Sequence, residues 1–337
     1  MLRRWAPALL LAVLASACAP SHIQAIRIER TDVKVLQTPT NPLTGVTSGA
    51  PQPWQQRPVL AVKIGNSGPE RPQAGLDRAD LVYEELTEGG ETRFLAFFLT
   101  NSPAQIGPIR SCRTVDPAIL APIGGLFGYS GGVPFVVSAV RSVPNVADVG
   151  ADVKGGDYWR ASNRPMPYNL YTSAPKLLRG HSGVPPQQPQ FDFLGPGDVS
   201  PGGASGRSAS VNFEPGDPPV RYGFDASTGT YLRYNGAHPH KSLDGVQLTF
   251  RNVVIEVVNV TTGSYTDHAG NITHEINLVG SGRAIVLRGG KAFEGTWSRS
   301  SRSDPTKLTD ASGSSLRLAP GRTIVELVPA GQQVSYS

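Results

Sequence analysis

DLVYEELTEGGETRFLAFFLTNSPAQIGPIRSCR, residues Asp80 to Arg113, holds two apolar runs separated by a pair of glycines. Phe94 to Leu99 is nearly unbroken, the pattern of a strand covered on both faces. Leu81, Val82, Tyr83 and Leu86 form the partner run, and Gly89-Gly90 offers the positive φ that a tight hairpin turn needs. A hairpin of this kind belongs inside a layered domain. Its anomaly is charge. Glu84, Glu85 and Glu88 interleave with the first run, Arg93 opens the second, and Arg110 and Arg113 follow a Gly107-Pro108 turn.

Working outward, Val59 to Ile64 reads as a strand closed by the loop signal Gly65-Asn66-Ser67-Gly68. On the other side, Asp116-Pro117 pairs an N-cap residue with a first-turn proline, predicting a helix over Pro117 to Ile123. Gly125 to Ser130 follows as a strand, Pro134 to Val143 as a helix, and Ser173 to Leu178 as another helix start. Strands alternating with helices around one hairpin predict a mixed-sheet α/β domain over residues 58–195. Prolines and glycines crowd Pro185 to Pro219, which places a linker at residues 196–208. Beyond it, strand candidates run over Arg221–Asp225, Tyr231–Tyr234, Val246–Val260, Asn271–Val279, Ala284–Arg288, Lys291–Arg299, Ser315–Leu318 and Thr323–Val328. No helix periodicity appears among them, so residues 209–330 are expected to form a smaller, mostly antiparallel β domain.

A chain of 337 residues can bury a core in each of two such domains. The formal charge is +5, two units of it from Arg3 and Arg4. No basic run interleaves with aromatics, so nucleic acid is not an expected partner. The first 18 residues decide export: Arg3-Arg4 form a positive start, and Pro7 to Leu14 an apolar run too short for a permanent span. Leu14-Ala15-Ser16-Ala17-Cys18 resembles the bacterial lipobox, with Ala15 where Leu is commoner. That makes Cys18 the candidate lipidation site and the membrane face the expected location. The alternative is ordinary cleavage at Ala15-Ser16-Ala17. Residues 19–57, rich in Pro, Thr, Ser and Gly, are expected to be a flexible tether. With Cys18 lipidated, Cys112 stands alone, and no internal disulfide can form.

DLVYEELTEGGETRFLAFF, IGPIRSCR and Pro167-Tyr168-Asn169-Leu170-Tyr171-Thr172-Ser173 resemble the YerB-like lipoproteins, a bacterial family of unknown function. Gly229 to Tyr234, Asn252-Val253-Val254, Leu278 to Gly282 and Gly295 to Arg299 extend the resemblance to about Pro329. It implies a lipid-anchored envelope protein with an α/β first domain and a smaller β-rich second one. It brings no activity. Where the family tends toward His-Ala-Gly-Gly-Ser, this chain has Tyr129-Ser130-Gly131-Gly132-Val133.

Several constellations carry possible chemistry. Gly128-Tyr129-Ser130-Gly131-Gly132 satisfies G-x-S-x-G between a strand and a helix, yet the histidines that could serve it lie far along the chain. Glu84, Glu88 and Glu91 could pair as acid and base, or form a solvated edge. His238-Pro239-His240 could open a metal site, or be loop residues. Cys112, between Arg110 and Arg113, could be an activated thiol, or simply buried. The strongest set is Arg93, Arg110 and Arg113. Guanidinium forks beside a helix start suit phosphate or carboxylate, as found on cell-wall polymers. The competing account is an ion-pair network with Glu84, Glu85 and Glu88. The candidate ligand set is therefore Arg93, Arg110 and Arg113, with Glu84 and Asn169 beside them; no catalytic, metal or cofactor site is assigned. The expected function is a binding or scaffolding lipoprotein for an anionic envelope polymer or an envelope protein. The alternative is a hydrolase acting on peptidoglycan or a related polymer.

Overall fold

The computed structural model describes residues 38–198, 202–266 and 270–337. Cys18, the leader and residues 19–37 lie outside the described residues. The expected hairpin is the centre of the fold. Strand β1 spans Leu60–Gly65, β2 Leu81–Leu86, β3 Thr92–Phe98, β4 Gly125–Gly128 and β5 Val146–Asp148. β2 pairs with β3 antiparallel from Leu81↔Phe97 to Leu86↔Thr92. Gly89 and Gly90, at φ 70° and 75°, close the hairpin in the left-handed region that favours glycine. β1 pairs antiparallel with β3 and parallel with β4, and β4 is parallel to β5.

On its other edge β2 meets the far end of the chain. Strand Thr323–Pro329 runs parallel to β2, from Thr323↔Leu81 to Leu327↔Glu85. That strand is parallel on its second side to Asn252–Thr266, and Gly280–Arg288, Lys291–Arg299 and Lys307–Thr309 continue the same sheet antiparallel. The linker expected at 196–208 is thus a boundary in sequence and not in space, because regions 58–195 and 209–330 share one mixed sheet. The physical reason lies in β2. Leu81, Val82 and Tyr83 are buried, and a strand so apolar is a poor edge. A parallel partner needs a long connection, and here the whole second region supplies it.

Alternation along the strands sends Val62, Val82, Phe94 and Ala96 to one face. There they pack against Ala209, Val211, Tyr222 and Tyr231 of a smaller sheet, which is antiparallel throughout. Its strands include Ser208–Val211, Val220–Asp225, Thr230–Asn235, His238–Pro239 and Val334–Tyr336. Leu81, Tyr83, Leu95 and Phe97 face the opposite way, onto helices α1 (Asp116–Leu120) and α2 (Pro134–Arg141). A third short helix, α3, spans Ala174–Leu178. The protein is mostly β, with a mixed first sheet and an antiparallel second.

Two expectations need correction. The tether does not reach Arg57, because residues 38–57 belong to the folded body. Asn41 accepts from the backbone N–H of Leu43 (2.9 Å) and donates to Thr100 (2.9 Å), while Leu43 and Trp54 are buried. An Asx turn and two apolar anchors order a segment whose composition reads as loose. Ser315–Leu318 is not a strand either; it makes only the isolated bridges Thr309↔Ser315 and Phe193↔Leu318.

Candidate functional site

Glu84 faces the smaller sheet from the middle of β2 with no exposed surface. One carboxylate oxygen accepts from Asn66 (2.9 Å) and Thr92 (2.7 Å); the other accepts from the Arg233 guanidinium (2.6 Å). Arg233 is also fully buried. Burial opposes its charge, but Glu84 and then Tyr222 and Glu326 more than restore it. Arg233 donates in addition to Asn235 (2.8 Å) and to Nδ1 of His240. A guanidinium has no acceptor, so the His240 proton sits on Nε2 and is donated to Gln73 (2.8 Å). Burial, then Arg233 and Arg71, hold His240 well below the usual histidine range, so it is neutral. Gln73 returns a bond to Asn66 (3.0 Å), closing the circuit.

Glu326 lies directly beside Glu84 on the neighbouring parallel strand. Burial and the Glu84 charge raise its pKa well above the carboxylate range, so Glu326 holds a proton, with Tyr222 donating to it. The seam between the two sequence regions is therefore one negative charge against one positive charge, with neutral partners around them.

Above this seam opens a cleft of about 870 Å³, lined from both sequence regions. Glu84, Asn66, Thr92 and His240 reach it from the network, and Arg71, Glu91, Asp217 and Lys241 add charge to its walls. Pro72, Phe213, Pro218 and Pro239 supply apolar surface. Arg71 is half-buried, and among the described residues its guanidinium makes no ion pair or hydrogen bond. Burial, then Arg233, lowers its pKa.

The arginines singled out from the sequence are placed otherwise. Arg113 donates to the buried carboxylate of Glu88 (2.9 Å), and Arg110 pairs with Glu70 (2.7 Å) beneath the Tyr168 ring. Gly65 must be glycine for this, since a Cβ there would meet the Glu70 carboxyl at 2.2 Å. Arg93 is buried and donates to the Ser111 carbonyl (2.9 Å); burial, then Arg113 and Arg110, lowers its pKa to about 10. Nor is the start of α1 free for an anion. Asp116 accepts there from the Arg113 backbone N–H (2.7 Å) and from Lys63 (2.6 Å). Asn169 is buried in its own loop, accepting from Arg160 (2.9 Å) and donating to the Ala161 (2.9 Å) and Arg164 (3.0 Å) carbonyls. Only Glu84 of the set lines the cleft.

The interleaved glutamates are not a solvated edge, because Glu84, Glu85 and Glu88 are all buried. Glu85 binds Lys63, which also holds Asp116, and all three are fully buried. Burial raises the Glu85 pKa to about 7; Lys63 opposes the rise and Asp116 adds to it. Ser130 follows β4 as a nucleophile elbow would, but its described hydrogen bonds run through its backbone, from its N–H to Arg110 and from Ser111 to its carbonyl. Cys112 is buried, and burial followed by Asp116 pushes its thiol up to about 12, the opposite of activation.

Sequence reading missed Arg233, Glu326 and Arg71, and took His240 for a candidate metal ligand where the structure places it between Arg233 and Gln73. Glu326 left a signal of the same kind as Glu84, a lone carboxylate in the apolar run TIVELVP. Arg233 left none, since alternating half-exposed strands carry such residues routinely.

Residues 43–184 match the N-terminal domain model of "Protein of unknown function (DUF3048)", and residues 209–325 match its C-terminal domain model. The chain is 29% identical over 310 residues to "Putative lipoprotein YerB" of Bacillus subtilis (strain 168), covering 88% of each chain. The crystal structure of the YerB protein from Bacillus subtilis superposes with a TM-score of 0.75 at 24% identity, over 88% of this chain and 99% of that one. That superposition shows a shared fold. With both parts present in order, the chain belongs to the DUF3048 family of proteins of unknown function.

Proposed function

We propose that this protein is an exported, lipid-anchored envelope protein that binds a ligand in the cleft above the Glu84–Arg233 seam. Anchoring is supported by the lipobox-like Leu14 to Cys18 run and by the lipoprotein name of the Bacillus relative. Replacing Cys18 by alanine should move the protein from the membrane fraction to the soluble one, because no other acceptor stands in the leader. Retention of Cys18→Ala on membranes would place the anchor elsewhere.

The observation that carries the binding reading is Arg71. A guanidinium partly withdrawn from water, without an anion, stands in a cleft whose floor is already hydrogen-bonded. Such a group favours a ligand that brings a carboxylate or phosphate. The volume falls within the range of small-ligand sites. The anionic envelope ligand expected from the sequence thus finds its cation in Arg71 rather than in Arg110 and Arg113. The test is capture of material from an envelope extract by the mature chain, identified by mass spectrometry, against the Arg71→Gln variant. Anionic material retained by the parent and lost from the variant is the expected result. Equal retention by both would remove the cleft from consideration.

A further inference from the structure

Arg71 is not the only charge in the cleft without a partner. Glu91 lines the same walls, as do Lys241 and Asp217, and among the described residues none of the four makes an ion pair. Arg71 and Glu91 sense each other electrostatically, and neither reaches the other. Burial, then the neighbouring Glu70, raises the Glu91 pKa, with Arg110, Arg93 and Arg71 pulling it back. Elsewhere around the hairpin the opposite arrangement holds. Lys63, Arg110, Arg113 and Arg233 are each matched to a carboxylate. Two cations and two anions left unmatched around one cleft are the complement of a ligand that carries both signs.

The lining also bears on the ligand's body. His238–Pro239 is the edge strand of the smaller sheet, and both residues line the cleft. An edge strand offers main-chain groups to an extended backbone laid beside it. Pro72, Pro218, Pro239 and Phe213 give apolar contacts without adding charge. We infer that the cleft takes a short zwitterionic peptide, its carboxylate at Arg71 and Lys241 and its amine at Glu91 and Asp217. This rests on the cleft being the binding site, and adds the second charge and the peptide class to it.

The test uses trialanine in three forms: with both termini free, N-acetylated, and C-amidated. Each is titrated into the mature chain by calorimetry. Free trialanine should bind, and either cap should weaken it about tenfold or more, the loss of one charge-assisted contact. Arg71→Gln should weaken the free peptide as much as C-amidation does, with little further effect on the amide. Glu91→Gln should do the same for N-acetylation. Both substitutions lie at the cleft wall, outside the buried Glu84–Arg233 network, so folding is not at stake. Equal binding of the free and capped peptides would overturn the zwitterion while leaving a cleft that binds. Failure of all three to bind, in a protein that still retains envelope material through Arg71, would overturn the peptide class alone. Failure of both together would remove the cleft reading itself.

Discussion

Replacing Arg233 by methionine should destabilise the protein by about 3–5 kcal/mol, the usual consequence of stripping one partner from a buried ion pair. Glu84 and Arg233 are both without exposed surface and meet at 2.6 Å. Methionine fills much of the space but leaves the Glu84 oxygen facing hydrocarbon, with Glu326 still at its side. His240 loses the donor to its Nδ1 at the same time. Adding Glu84→Gln should recover a large part of the loss, because a neutral amide needs no counter-charge. Urea midpoints for the two single variants and the double variant measure the coupling directly. A loss below about 1 kcal/mol for Arg233→Met would mean that the seam is wet rather than buried.

The second large effect is in the pH dependence of stability. Glu256 is buried on the α-helical face of the sheet, and burial raises its pKa to about 7, with Arg299 only partly opposing the rise. Unfolded, the same carboxyl titrates near its ordinary value of about 4.3. Below that value both states hold the proton and Glu256 contributes no difference. Between the two values the folded state keeps a proton that the unfolded state releases, so stability falls as pH rises. Above about pH 7 the full effect is present, about 3–4 kcal/mol of destabilisation. Glu85, raised to about 7, and Glu326, raised well above its ordinary value by burial and by Glu84, bend the profile in the same direction. Glu256→Gln should therefore match the parent near pH 4 and exceed it by about 3–4 kcal/mol near pH 8. Urea unfolding at both values decides it, and parallel profiles for parent and variant would contradict the burial of this carboxyl.

The hairpin, the β4 strand, the α1 and α2 helices and most second-region strands were legible because periodicity and turn residues are local. Phe94 to Leu99 has the pattern of a doubly covered strand, and both Gly89 and Gly90 take the φ that the turn needs. The joining of the two regions was not legible. It depends on Thr323–Pro329 choosing β2 as a neighbour across the whole second region, and no local pattern records a partner so far away. The site was misread for the same reason. Arg110 and Arg113 have the right residue type beside a helix start, but Glu70, Glu88 and Asp116 already occupy those donors. Glu84 stands out in the sequence because a carboxylate inside an apolar run is anomalous. Its partner, Arg233, comes from 149 residues away.

The central claim is that both sequence regions form one folded body, with the cleft on their seam. Native-state hydrogen exchange of the strand Thr323–Pro329 tests it most directly. Its amides between Ile324 and Val328 should exchange as slowly as those of β2 and β3, through the same global opening and with the same denaturant dependence. Opening of Thr323–Pro329 at lower free energy, while β2 and β3 stay protected, would show two independent domains and no shared seam.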